Sequence, residues 1–216
     1  WGEAFTGISW TNQAIESILA NRNLLSEKSD LYLGEAYFLR AFFYFFLTRQ
    51  YGRMPIVDHV LSYNEFYSPR ASIEETWDFI VRDLKKAIEL LPKKSEYSAT
   101  DLGRATQGAA YAMLGKAYIY QGKFQEAYDA LMKVVESGEY SLEPVYADIF
   151  TLEHENGIES VFEIQHMTSN TGWSDDNEGS ILSFYEHDAD PDDPIKWHNG
   201  WSMHCLTEDL VNSYEK

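Results

Sequence analysis

Apolar residues recur at helical spacing through most of the first 137 residues. Phe5, Ile8, Asn12, Ile15 and Leu19 follow each other at steps of three and four and predict a first helix with one inner face. Asn12 lies in the middle of that apolar stripe, so burial obliges it to find hydrogen-bond partners. A second helix is predicted from about Asp30 to Tyr51, with Ser29 or Asp30 as its cap. Ala36, Leu39, Phe43, Phe46 and Leu47 form its inner face, widened by Phe42 and Phe45. Arg40 inside this helix requires a carboxylate or several carbonyls. Gly52-Arg53-Met54-Pro55 ends it, because glycine admits the left-handed conformation and proline cannot continue a helix.

The third helix opens on an S-x-x-E capping box, Ser72 and Glu75. Ile73, Trp77, Val81, Leu84, Ile88 and Leu91 form its stripe, and Pro92 stops it. Residues Thr106 to Gln121 and Phe124 to Ser137 form a helical pair joined at Gly122-Lys123. Gly108, Ala112 and Gly115 lie on one face of the first member, where a neighbour can approach closely. Leu114, Gly115, Tyr118, Ala127, Leu131 and Val134 alternate bulky and small positions across the turn, as in a tetratricopeptide unit. The fold class expected is mainly α: tetratricopeptide-like helical hairpins with an irregular, loop-rich segment and little β structure.

After Gly138 the periodicity changes. Pro144 to Phe150 reads as a short helix, and Ser160 to His166 alternates as a strand. Residues 167–200 have no sustained period and read as loops, and Thr207 caps a last helical pattern. Residues 1–150 are expected to be a helical scaffold. Residues 151–216 are expected to be a loop-rich acidic segment of the same fold.

Charge sharpens this division. The chain has 216 residues, with 35 acidic against 17 basic and a formal net charge of −18. Residues 151–216 hold 15 of the acids, two of the bases and five of the six histidines. Nucleic acid and anionic lipid are poor partners for such a surface. With 33 aromatic residues the chain has ample side-chain area to bury, and a single cysteine, Cys205, excludes a disulfide framework and a cysteine zinc site. The most apolar stretch, Tyr37 to Leu47, is about half of the ~20 residues needed to span a bilayer. The chain begins almost inside one helical pattern and stops inside another, so it is expected to be part of a longer protein, truncated at both ends.

Catalytic signatures are missing: there is no nucleophile elbow, H-E-x-x-H, Walker loop or G-x-G-x-x-G. Binding rather than turnover is expected, and no cofactor. Asp188, Asp190, Asp192 and Asp193 offer oxygens to calcium but lack the EF-hand spacing. His187, His198 and His204 have no metal-ligand spacing. The ligand-binding candidates are Trp173, Tyr185 and Trp197, aromatic residues set among Asn, Asp, Ser and Gly without a periodic face. Such rings stack on the C–H-rich face of a pyranose while nearby carboxylates and amides bond its hydroxyls.

The run Glu35-Ala36-Tyr37-Phe38-Leu39-Arg40-Ala41-Phe42-Phe43-Tyr44-Phe45-Phe46-Leu47, followed by Tyr51-Gly52-Arg53-Met54-Pro55-Ile56-Val57, resembles the signature of the SusD/RagB family. That signature reads E-A-x-x-L-R-A-x-x-Y-x-x-L and then Y-G-x-x-P-x-V. Ala109 to Tyr118, Tyr140-Ser141-Leu142 and Glu159 to Gln165 are similar to later parts of the family pattern. Gly200-Trp201 with Leu206-Thr207 and Asp209-Leu210-Val211 is similar to a further motif, with Cys205-Leu206 where the family often has proline. The resemblance implies four tetratricopeptide-like units supporting irregular loops. It implies an outer-membrane lipoprotein that holds oligosaccharides or other nutrients at the cell surface and caps a TonB-dependent transporter. The lipid-bearing cysteine of the family has no counterpart in this chain. Ligand contacts do not transfer by motif, and Glu35, Arg40, Asn12 and Trp201 read as structural. The alternative is a tetratricopeptide-type protein adaptor without a small-molecule site of its own.

Overall fold

The structure is a computed structural model that describes residues 1–22 and 28–165 together with two short strands, 188–190 and 193–198. Five α-helices stand among the described residues: α1 (Gly2–Ala20), α2 (Ser29–Tyr51), α3 (Ile73–Leu90), α4 (Gln107–Tyr120) and α5 (Phe124–Val135). Each helix packs on the next in chain order, α1 on α2, α2 on α3, α3 on α4 and α4 on α5. This is the mainly α, tetratricopeptide-like architecture expected. The chain divides into two compact units, Trp1–Glu163 and Ile164–Lys216. No helix among the described residues is long and apolar enough to cross a membrane.

The inner face of α2 is in part the expected one: Ala36, Phe45 and Leu47 are buried, joined by Leu33, Tyr37, Phe38, Arg40, Ala41, Tyr44 and Thr48, whereas Leu39 and Phe46 are exposed. Hydropathy alone assigns Tyr44 and Thr48 to the outside. The Tyr44 phenol has a partner inside, the Val57 amide at 2.7 Å, and the Thr48 hydroxyl is satisfied within its own helix by the Tyr44 carbonyl at 2.6 Å. The helix is also not capped by Ser29 or Asp30. Its N-cap is Lys28, without a side-chain bond, and Ser29 is buried. Leu19 at the end of α1 is likewise exposed rather than inward.

The third helix follows its sequence closely. Ser72 accepts from the Glu75 amide at 3.0 Å, and the Glu75 carboxylate accepts from the Ser72 amide at 2.7 Å. Between α4 and α5, Gly115 is required by proximity: a Cβ there would lie 2.5 Å from Leu131 Cγ. Gly108 makes room for a side chain, the Tyr140 ring, rather than for a neighbouring backbone.

Tyr146–Phe150 is a short 3-10 helix, close to the helix expected there. Residues 160–165 are not a strand. Alternation alone does not make a strand without a ladder partner, and what fixes this segment is Phe162, whose ring meets Phe38 at 4.9 Å and Phe42 at 6.1 Å. Conversely, the stretch read as loop contains an antiparallel pair, β1 (Asp188–Asp190) and β2 (Asp193–His198). Aspartate is disfavoured in strands and masks such a pair in sequence.

Candidate functional site

Arg40 and Asn12 organise the polar interior. The Arg40 guanidinium forks onto Asp83 of α3, Nε to Oδ2 at 2.7 Å and Nη2 to Oδ1 at 3.0 Å. Its Nη1 donates to Asn12 Oδ1 at 2.7 Å and to the Asp58 carbonyl at 3.0 Å. Asn12 completes its set by donating Nδ2 to the carbonyls of Val57 at 2.9 Å and His59 at 3.0 Å. Tyr44 accepts from the Val57 amide at 2.7 Å, and burial pushes its phenol up to about 12. Arg40 also lies over the Phe79 and Tyr37 rings at 5.0 and 5.4 Å. Burial pushes the Asp83 carboxyl above the usual carboxylate range, with the two guanidinium bonds pulling against it. Every polar atom named here is used in tying α1, α2, α3 and residues 57–59 together, so the cluster is structural, as expected for Arg40 and Asn12. Glu35 is structural too: both of its oxygens take a fork from Arg104, at 2.6 and 2.7 Å.

A recess of about 260 Å³ opens among residues 143–163. Glu143, Glu159 and His154 line one part of it, Ile149, Val161 and Phe162 another. The carboxylates also close local turns. Glu159 accepts from the Glu143 amide at 2.8 Å, Glu163 from the Asn156 amide at 3.0 Å, and Glu143 Oε1 faces His154 Nδ1 at 3.3 Å. Lys94 reaches across to the carbonyls of Ser160, at 2.9 Å, and Gly157, and desolvation holds its ammonium below the usual lysine range. Acceptors beside an apolar wall suit a hydroxyl-bearing ligand. The sequence offers little sign of this recess, since its acids are scattered over some twenty positions and no periodic face joins them. Among the described residues no group of three His, Cys, Asp or Glu side chains is arranged to hold a metal ion.

Of the ligand-binding candidates, Trp173 and Tyr185 lie outside the described residues, as do Trp201, His187, His204 and Asp192. Trp197 belongs to β2, opposite Ala189 of β1, and is therefore on a strand rather than a loop. His198 pairs with Asp188, and Asp190 with Asp193, at the two ends of the same ladder.

The model of a SusD-like family, described as starch-binding and associating with the outer membrane, matches residues 1–119. A SusD-like protein from Formosa agariphila is 29% identical over 214 residues, which cover 94% of this chain and 40% of that protein. The chain thus spans about two fifths of the length of that relative. Among solved structures, a laminarin-binding SusD-like protein is 29% identical with a TM-score of 0.74, over 80% of this chain and 39% of that one. Surface glycan-binding protein A from Bacteroides uniformis is 28% identical with a TM-score of 0.69, over 78% of this chain and 38% of that one. The matched stretch includes the Arg40 cluster and the E-A-x-x-L-R-A signature around it, and the chain belongs to the SusD-like family.

Proposed function

We propose that this chain is part of a cell-surface glycan-binding subunit of an outer-membrane uptake complex. The observation that carries the reading is membership of the SusD-like family together with likeness to structures named for laminarin and glycan binding. The protein holds an oligosaccharide and passes it unchanged to a TonB-dependent transporter of the SusC type. The full-length protein is held on the outer membrane by a lipid anchor. Trp173, Tyr185 and Trp197 stack on the sugar rings, and the acidic side chains around them bond hydroxyls.

Calorimetric titration with laminarin, xyloglucan and starch oligosaccharides tests this reading. Binding of at least one is expected, with no release of reducing ends. Replacing Trp173 or Trp197 by alanine is expected to weaken binding about tenfold, the equivalent of ~1.4 kcal/mol. Equal affinity in wild type and both variants would remove these residues from the site. A chelator added to the same titration tests the Asp188–Asp193 run as a calcium site, and unchanged affinity is expected.

A further inference from the structure

The recess among residues 143–163 is lined by a buried carboxylate that lacks a donor. The Glu143 side chain is only 9% exposed. Among the described residues no N–H or O–H donates to its carboxylate. The nearest base is His154, whose Nδ1 lies 3.3 Å from Oε1, longer than an ordinary N–H···O bond. Two other carboxylates of comparable burial fare differently. Asp83, fully buried, takes two N–H donors from Arg40, and Glu35, 16% exposed, takes two from Arg104. The Glu143 amide donates to Glu159 Oε2 at 2.8 Å, which brings a second carboxylate to the same recess. Gly157 leaves the Glu143 carboxylate its place, since a Cβ there would lie 3.1 Å from Oε1 and 2.7 Å from the His154 carbonyl. Lys94 does not answer the charge, because its ammonium donates to the carbonyls of Gly157 and Ser160. A buried carboxylate without a donor is costly, and a group from elsewhere is needed to complete it.

We propose that the recess receives an arginine side chain from the part of the full-length polypeptide outside these 216 residues, and that this ion pair docks the two parts together. Charge selects a cation. Glu143, Glu159 and Glu163 line the recess and no lysine or arginine does, so an anion is repelled. A neutral hydroxyl completes a hydrogen bond but leaves the charge unbalanced. A metal ion is a poor occupant, because among the described residues no three ligating side chains converge. Donor number selects arginine over lysine. Glu143 and Glu159 border the same space, and a planar fork of five N–H donors serves both, where an ammonium acts as a point charge. A space of about 260 Å³ admits a whole long side chain, whereas one water takes ~30 Å³. Ile149, Val161 and Phe162 offer the methylene stem an apolar wall. The arginine is not one of this chain's own, since all seven lie at or before residue 104 and none lines the recess. A longer polypeptide is the natural source, because the chain covers only 40% of its Formosa agariphila relative. The inference does not depend on which ligand the protein holds.

The test uses the full-length protein: a crystal structure of the wild type, and urea denaturation of the wild type and Glu143→Gln. The structure is expected to show a guanidinium within about 3 Å of the Glu143 carboxylate. Glu143→Gln is expected to lower the folding equilibrium constant about a hundredfold, because it strands the arginine in a buried place. A carboxylate without an arginine gives the opposite sign. Neutralising it then leaves stability unchanged or raises it, and that result overturns the proposal. A crystal structure in which the recess is open, or is filled by a neutral segment or a lysine, also overturns it. So does a Glu143→Gln protein that keeps wild-type stability but loses affinity for laminarin, xyloglucan or starch oligosaccharides, which makes the recess a ligand subsite. If the variant does not fold, the wild-type crystal structure decides by itself.

Discussion

Residues 52–72, between α2 and α3, and residues 136–165, after α5, are both largely irregular, yet different kinds of side chain hold them. The first is gripped from beneath by buried groups of the helices, Arg40, Asn12 and Tyr44, each reaching a main-chain atom of residues 57–59. The second is held by the Phe162 ring against Phe38 and Phe42, by carboxylates of its own, Glu159 and Glu163 on nearby amides, and by Lys94 from one side, polar anchors that are partly exposed. Buried anchors are paired inside a desolvated network, where loss of one partner strands the others. Partly exposed anchors compete with water, and their loss is cheap. The two connections should therefore differ sharply in how much a single substitution disturbs them.

The largest effect is expected for Arg40→Ala. It leaves the Asp83 carboxylate buried without its guanidinium and frees the Asp58 carbonyl, a cost of about 3–5 kcal/mol. A denaturant melt should show most of the stability gone, and a loss below about 1 kcal/mol would mean that the pair contributes little. Asn12→Ala removes two carbonyl partners and one of the guanidinium's acceptors and should cost about 1–3 kcal/mol in the same melt. In the other connection, Glu159→Ala should cost about 1 kcal/mol or less, read as faster hydrogen exchange at the Glu143 amide with little change in global stability. A cost as large as that of Asn12→Ala would erase the distinction between the two regions.

The smallest effect is a titration. Bonds to Asp58 and then Glu65 raise the His59 imidazolium above its ordinary value, and bonds to Ser62 and then His59 hold Glu65 down at about 2. The histidine's favourable contribution is full below its unfolded value of 6.5 and is lost as pH rises through its folded value. That of the glutamate is present above 4.5 and is lost as pH falls toward about 2. The pairing of His59 with Glu65 is thus complete between these limits. Following the His59 ring protons by NMR should give a midpoint above 6.5 that moves down in Glu65→Gln.

Much of the scaffold was legible from residue spacing. The capping box at Ser72, the stop at Pro92 and the glycine turn at Gly122 follow from local chemistry, which needs no knowledge of distant contacts. The need of Arg40 for a carboxylate was also legible, since burial forces it. Which acid answers was not, because Asp83 lies 43 positions away on another helix. The burial of Tyr44 escaped hydropathy for the same reason: its phenol is satisfied by the Val57 amide, which lies beyond the end of the helix. The pair of strands at 188–198 was hidden by its aspartates, and the recess among residues 143–163 by the dispersal of its acids. The family signature, by contrast, coincides with the network that ties the helices together, and so it was readable before any contact was known.

The helices hold the 57–59 segment chiefly by its main chain, with the Val57 side chain packed on the core beside those bonds. A socket of that kind fixes the height and direction of whatever protrudes from it while leaving the protruding letters free. The tip from Tyr63 to Tyr67 can therefore be exchanged, provided that Ser62 and Glu65 keep their turn, and the fold beneath would not register the change. Such a mount lets a handful of neighbouring codons be edited without disturbing the helices that carry it.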